Sequence, residues 1–72
     1  MTISETFDWS ALEATKATLR NEHRLKFGVD YVWMMKYNTL HIMYSLVYYE
    51  TLMEVMRADG HDVDRINWHP VS

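Results

Sequence analysis

Residues 29–57 read VDYVWMMKYNTLHIMYSLVYYETLMEVMR, and the period assigned to this run decides the fold. Trp33, Tyr37, Leu40, Tyr44, Val47, Thr51 and Val55 follow the three- and four-residue steps of one helical face. Met35, Ile42, Leu46, Tyr49, Met53 and Met56 line a second apolar face, which leaves Lys36, Thr39, Glu50, Glu54 and Arg57 as a narrow polar stripe. The spacing predicts a long helix over 30–58, with Asn38-Thr39 as the alternative place for a break. A helix with so little polar surface needs cover on two or three sides.

The chain on either side reads as cover, caps and tail. A first helix is expected over 10–27, started by Ser10 with Glu13 as a capping box, or by Asp8. Ala11, Ala14 and Ala17 favour helix, and Trp9, Leu12, Leu19 and Phe27, with Thr15 and His23, form its thin inner side. Gly28 suits a left-handed stop, Asp30 a cap for the second helix and Gly60 its end. Residues 1–9 read as an arm. Residues 61–72 read as a tail with one turn from Asp62 through Arg65, and with His69 extended ahead of Pro70. The expected fold is therefore all-α: one domain over 1–72, an antiparallel two-helix hairpin with a short helix 1, a long apolar helix 2 and a short C-terminal helical turn.

The two helices differ in length. Paired antiparallel, the first reaches only to about Tyr48 on the second. The apolar turns beyond it would be completed by dimerisation or by a partner. Tyr44, Tyr48, Tyr49, Leu52, Met53 and Met56 are the expected contact residues, since Tyr and Met suit protein interfaces.

Composition narrows the function. Seventy-two residues without cysteine exclude disulfides and thiolate metal sites, and fit a cytoplasmic setting. A net charge of −3 opposes general binding to nucleic acid or anionic membranes. The run between Lys36 and Glu50 is shorter than the ~20 apolar residues of a membrane span, and no basic-then-apolar leader opens the chain.

Lys16, Arg20 and Arg24, four apart and followed by Lys26, form a basic face that could meet phosphates or an acidic protein. No aromatic residue is interleaved on that face for base stacking. Glu22, His23, Glu50 and Glu54 are the candidates for an interfacial metal or enzymatic site, but the Glu-x-x-His pattern of helical metal bundles is missing. His41, inside the apolar run, reads as a hydrogen-bonded structural histidine. Asp59 to Asp64 resembles a calcium loop only superficially, because Pro70 stands where its twelfth-position glutamate belongs. Ser45 has no glycine elbow to expose it, and two glycines are too few for a phosphate loop.

The expected function is a non-enzymatic protein–protein interaction module, such as a small inhibitor, adaptor or accessory subunit. It would use no cofactor and no metal, and its partner would be another protein or a second copy. The alternative is a small nucleic-acid-binding dimer that uses the basic face of helix 1.

Overall fold

A computed structural model describes residues 8–71. Of the expected arm over 1–9, residues 1–7 lie outside these residues, while Asp8 caps α1 and Trp9 begins it. The elements run α1 (Trp9–His23), β1 (Tyr31–Lys36), β2 (Thr39–Ser45), a 3-10 turn (Leu46–Tyr48), α2 (Tyr49–Ala58), a second 3-10 turn (Val63–Arg65) and β3 (Asn67–Val71). The fold is α+β, two helices with a three-stranded sheet. The all-α hairpin is overturned, because the first half of the supposed long helix is a β-hairpin.

The hairpin depends on Tyr37 and Asn38. Both have left-handed backbones, with φ of 53° and 59°. Two such residues in succession reverse the chain with the twist that paired strands require. Lys36 then faces Thr39, and the antiparallel register continues through Trp33 with Ile42 to Tyr31 with Tyr44. Side chains alternate between the faces of a strand. Tyr31, Trp33, Leu40, Ile42 and Tyr44 are therefore buried on one face, while Val32, Met34, His41 and Met43 share the other. Helical spacing matched this run because Val32, Met34 and Met43 make part of the outer face apolar as well. An outer face carrying methionine and valine hides the period of two.

β3 pairs with β2 in parallel, setting Ile42 beside Trp68 and Tyr44 beside Pro70. The sheet order is β1-β2-β3. Parallel neighbours need a long crossover, and α2 supplies it. A proline fits β3 because β3 is an edge strand.

Leu12 and Leu19 of α1 and Leu52, Val55 and Met56 of α2 join the inner sheet residues in one buried cluster. Nothing in the described chain covers the outer sheet face, where Met34 and Val71 are about half exposed. Beyond β2, the rings of Tyr44, Tyr49 and Trp68 meet pairwise at centroid distances of 5.4–5.6 Å. The Trp68 indole N–H donates to the Val63 carbonyl at 3.2 Å, which ties β3 to the turn before it.

The helix ends differ in part from expectation. Asp8, rather than Ser10, caps α1, accepting from the Ser10 N–H at 2.9 Å. α1 stops at His23 instead of Phe27. Arg24 takes the left-handed turn with φ 62°, and its N–H donates to the Arg20 carbonyl at 3.2 Å. Asp30 caps no helix; its carboxylate accepts from the Lys26 N–H at 2.7 Å and closes the loop into β1. α2 ends at Ala58. Gly60, with φ 87°, lets its own N–H reach the Arg57 carbonyl and that of His61 reach Met56, both at 3.0 Å. That is the Schellman pattern for which glycine is preferred. The short turn expected after Asp62 is present over Val63–Arg65.

Two predictions follow from local backbone and burial. Arg24 holds a conformation that disfavours a side chain, so Arg24→Gly should raise the unfolding free energy by about 0.5–1 kcal/mol in urea titration. Tyr31 is buried, and its hydroxyl is without a hydrogen-bond partner among the described residues. Burial, then the Asp30 and Glu13 carboxylates, push its pKa from 10.0 up to about 12. The fold thus requires the neutral phenol, while the unfolded chain ionises first. The stability this preference contributes is whole below pH 10 and is lost as pH rises towards about 12. Tyr31→Phe should flatten that alkaline loss and, at neutral pH, leave stability unchanged or raise it by roughly 1 kcal/mol.

Candidate functional site

The residues expected to anchor a partner do not form a surface. Tyr44, Leu52 and Met56 lie in the core of the single chain, and Tyr48, Tyr49 and Met53 are half-buried against it. The apolar turns thought to lack cover have it, because Leu52, Val55 and Met56 of α2 pack into one buried cluster with Leu12 and Leu19 of α1 and the inner sheet residues.

The basic residues expected to share a face are in part brought together around a groove. Leu12, Thr15 and Leu19 turn inward, which places Lys16 and Arg20, one turn apart, on the outer side. The left-handed Arg24 then redirects the chain, and buried Leu25 brings Lys26 and Phe27 back alongside the helix. The return is fixed by the Asp30 carboxylate on the Lys26 N–H and by the Asp30 N–H donating to the Lys26 carbonyl at 2.8 Å. Glu13, Lys16, Ala17, Arg20, Lys26 and Phe27 line the resulting shallow groove. Arg24 is exposed but does not line it. Three of the four expected bases are therefore brought together, and the fourth is spent on the turn.

Phe27 is the groove residue that sequence reasoning missed. It was counted as the end of helix 1, and only the early stop at Arg24 swings it beside Lys16. The Lys16 ammonium sits 4.3 Å from the Phe27 ring centroid, a cation–π contact, and 3.2 Å from Glu13 Oε2. Tyr31 and Trp33 meet Phe27 in edge-on contacts at 5.4 Å each. The ring is thus hemmed by a cation and two aromatic edges. Three bases against one acid leave the groove positive within a chain of net charge −3.

A second polar cluster joins α1 to the end of α2. Thr15 Oγ1 lies 3.0 Å from the Ala11 carbonyl, 2.5 Å from Asp59 Oδ2 and 2.9 Å from His61 Nε2. A hydroxyl has one proton, which here faces two acceptors, so the His61 Nε2–H donates to it. The residue types are those of a nucleophile, a base and an acid, but the arrangement differs. Asp59 bonds to the hydroxyl instead of orienting the imidazole, and Thr15 is wholly buried. The cluster is a tie between elements.

Glu22 and His23 end α1, whereas Glu50 and Glu54 sit exposed on α2. Among the described residues, no three His, Cys, Asp or Glu side chains gather as metal ligands. No described helix is long and apolar enough to cross a membrane. No model of a known protein family matches the chain, and neither curated proteins nor solved structures yield a match.

The tie sets a prediction. Thr15→Val keeps the shape but leaves His61 and Asp59 without this partner. It should lower the unfolding free energy by about 1–3 kcal/mol, measured by urea denaturation.

Proposed function

We propose that this chain is a non-enzymatic protein-binding module, and that its groove receives an acidic segment of a protein partner. The observation that supports this reading is the convergence of Lys16, Arg20 and Lys26 around Phe27. Arg20 offers a planar fork suited to a carboxylate, and the two ammonium groups add charge without fixed geometry.

A nucleic acid suits the groove less well. Sequence-tolerant binding of single strands relies on bases stacking on aromatic faces. Lys16 lies over the Phe27 ring, and Tyr31 and Trp33 crowd it. The overall charge of −3 also repels a polyanion at a distance, whereas a short acidic segment meets only the local positive field. A cytoplasmic setting accords with a chain that has no cysteine. Self-association loses the basis it had in an uncovered helix, since α2 is covered within the chain.

Fluorescence anisotropy with a labelled glutamate-rich peptide and a labelled oligothymidylate tests the reading. The peptide should bind at low salt and be released as salt rises. The double variant Arg20→Glu with Lys26→Glu should weaken it by about tenfold or more, the scale of losing two charge-assisted contacts. Absence of peptide binding to the unaltered chain, or tighter binding of the oligothymidylate, would overturn the proposal.

A further inference from the structure

The outer face of the sheet carries a group of donors that the chain's spacing conceals. His41 lies on β2 and His69 on β3, and only the parallel pairing of those strands brings them together. His41 Nδ1 and His69 Nε2 are 3.0 Å apart. The ring planes differ by 14° and the centroids by 5.2 Å. That separation is about one hydrogen bond plus the radii of two imidazoles. The rings therefore lie tip to tip in nearly one plane and are not stacked face to face. One nitrogen donates and the other accepts, so one N–H and one lone pair face each other across the gap.

Two thioethers adjoin the pair. Met43 is directly opposite His69 across the β2–β3 ladder and two residues from His41 on the same face. Met34 is directly opposite His41 across the hairpin. The rest of this face holds Val32, Lys36, Thr39, Ser45, Asn67 and Val71, so none of its side chains is a carboxylate.

We propose that this face binds a single copper(I) ion through His41, His69 and Met43. Two nitrogens 3.0 Å apart can both reach one ion at metal–nitrogen bonds of about 2.0–2.1 Å. For both rings to ligate while neutral, the donating ring shifts its proton to its other nitrogen, so that each facing nitrogen presents a lone pair to the ion. Rotation about each Cβ–Cγ bond, a broad torsion for histidine, turns the two lone pairs outward to meet it. The donor set selects the metal. Thioether sulfur is soft and favours copper(I), whereas structural zinc asks for four imidazole, thiolate or carboxylate ligands. No third such group joins the pair among the described residues. Three neutral donors and no carboxylate also suit a monovalent cation better than a divalent one. The site is accessible, since His69 is exposed and His41 and Met43 are half-buried.

The test is an anaerobic titration of the full chain with copper(I) buffered by bicinchoninate, alongside a zinc(II) titration. The chain should withdraw one equivalent of copper(I). The double variant His41→Gln with His69→Gln should lower that affinity at least a hundredfold. Met43→Leu should lower copper(I) affinity about tenfold and leave zinc(II) binding unchanged, which separates sulfur ligation from a structural effect. Imidazole resonances in nitrogen-15 NMR keep the test independent of whether variants fold. Copper(I) should shift those of His41 and His69 and leave those of His23 and His61 in place. Failure of the unaltered chain to withdraw copper(I), retention of full affinity by either variant, or shifts at His23 or His61 alone would overturn the site.

Discussion

The structure depends on two successive left-handed residues. With Tyr37 and Asn38 at φ of 53° and 59°, the strands they join have only one register. A slip of β2 by a single residue would turn Leu40, Ile42 and Tyr44 out to water and bring His41 inward. The inner ring set then dictates where α2 must lie, because α2 both covers that face and carries the chain back for a parallel third strand. Tyr37 holds its conformation while exposed, so packing of its own side chain does not explain the turn. Pairing of the flanking strands outweighs a local backbone cost of about 1–2 kcal/mol.

A second left-handed residue has a comparable role on the other side of the molecule. Arg24 ends α1 a turn earlier than the amphipathic pattern suggests. Of the four residues that would have continued the helix, Lys26 and Phe27 form instead the far wall of a groove. A helix running to Phe27 would have presented a flat basic row. The turned chain presents a concave one, and a concave arrangement of like charges can hold an acidic chain from two sides.

Parts of this were readable in the residues. Gly60 as the stop for α2 and the short turn after Asp62 follow from local chemistry and are present, and of the expected inner side of α1 Leu12, Thr15 and Leu19 are buried while Trp9, His23 and Phe27 are exposed. The hairpin was not readable. Asn38-Thr39 stood out as a break, yet without glycine the pair Tyr37-Asn38 lacks the usual signal of a two-residue hairpin. β2 alternates apart from Met43, with Thr39, His41 and Ser45 outside, but Val32 and Met34 on the outer side of β1 hide the period of two there. The contact between Thr15 and His61 spans 46 positions, and that between His41 and His69 spans 28. Contacts so distant in sequence follow from topology, which no local period discloses. The basic row was identified as a site, but its membership changed because the helix end moved.

Pro70 makes the two margins of the sheet unequal. It lies in β3, one residue before the last of that strand, and has no N–H to offer an incoming strand. β1, the opposite margin, contains Tyr-Val-Trp-Met-Met-Lys, with every amide intact and a charged side chain only at its end. The sheet therefore has a polarity for growth. An extended segment from elsewhere would find its hydrogen-bonding template along β1, beside the Phe27 loop, while the margin formed by β3 is blunted by its own sequence.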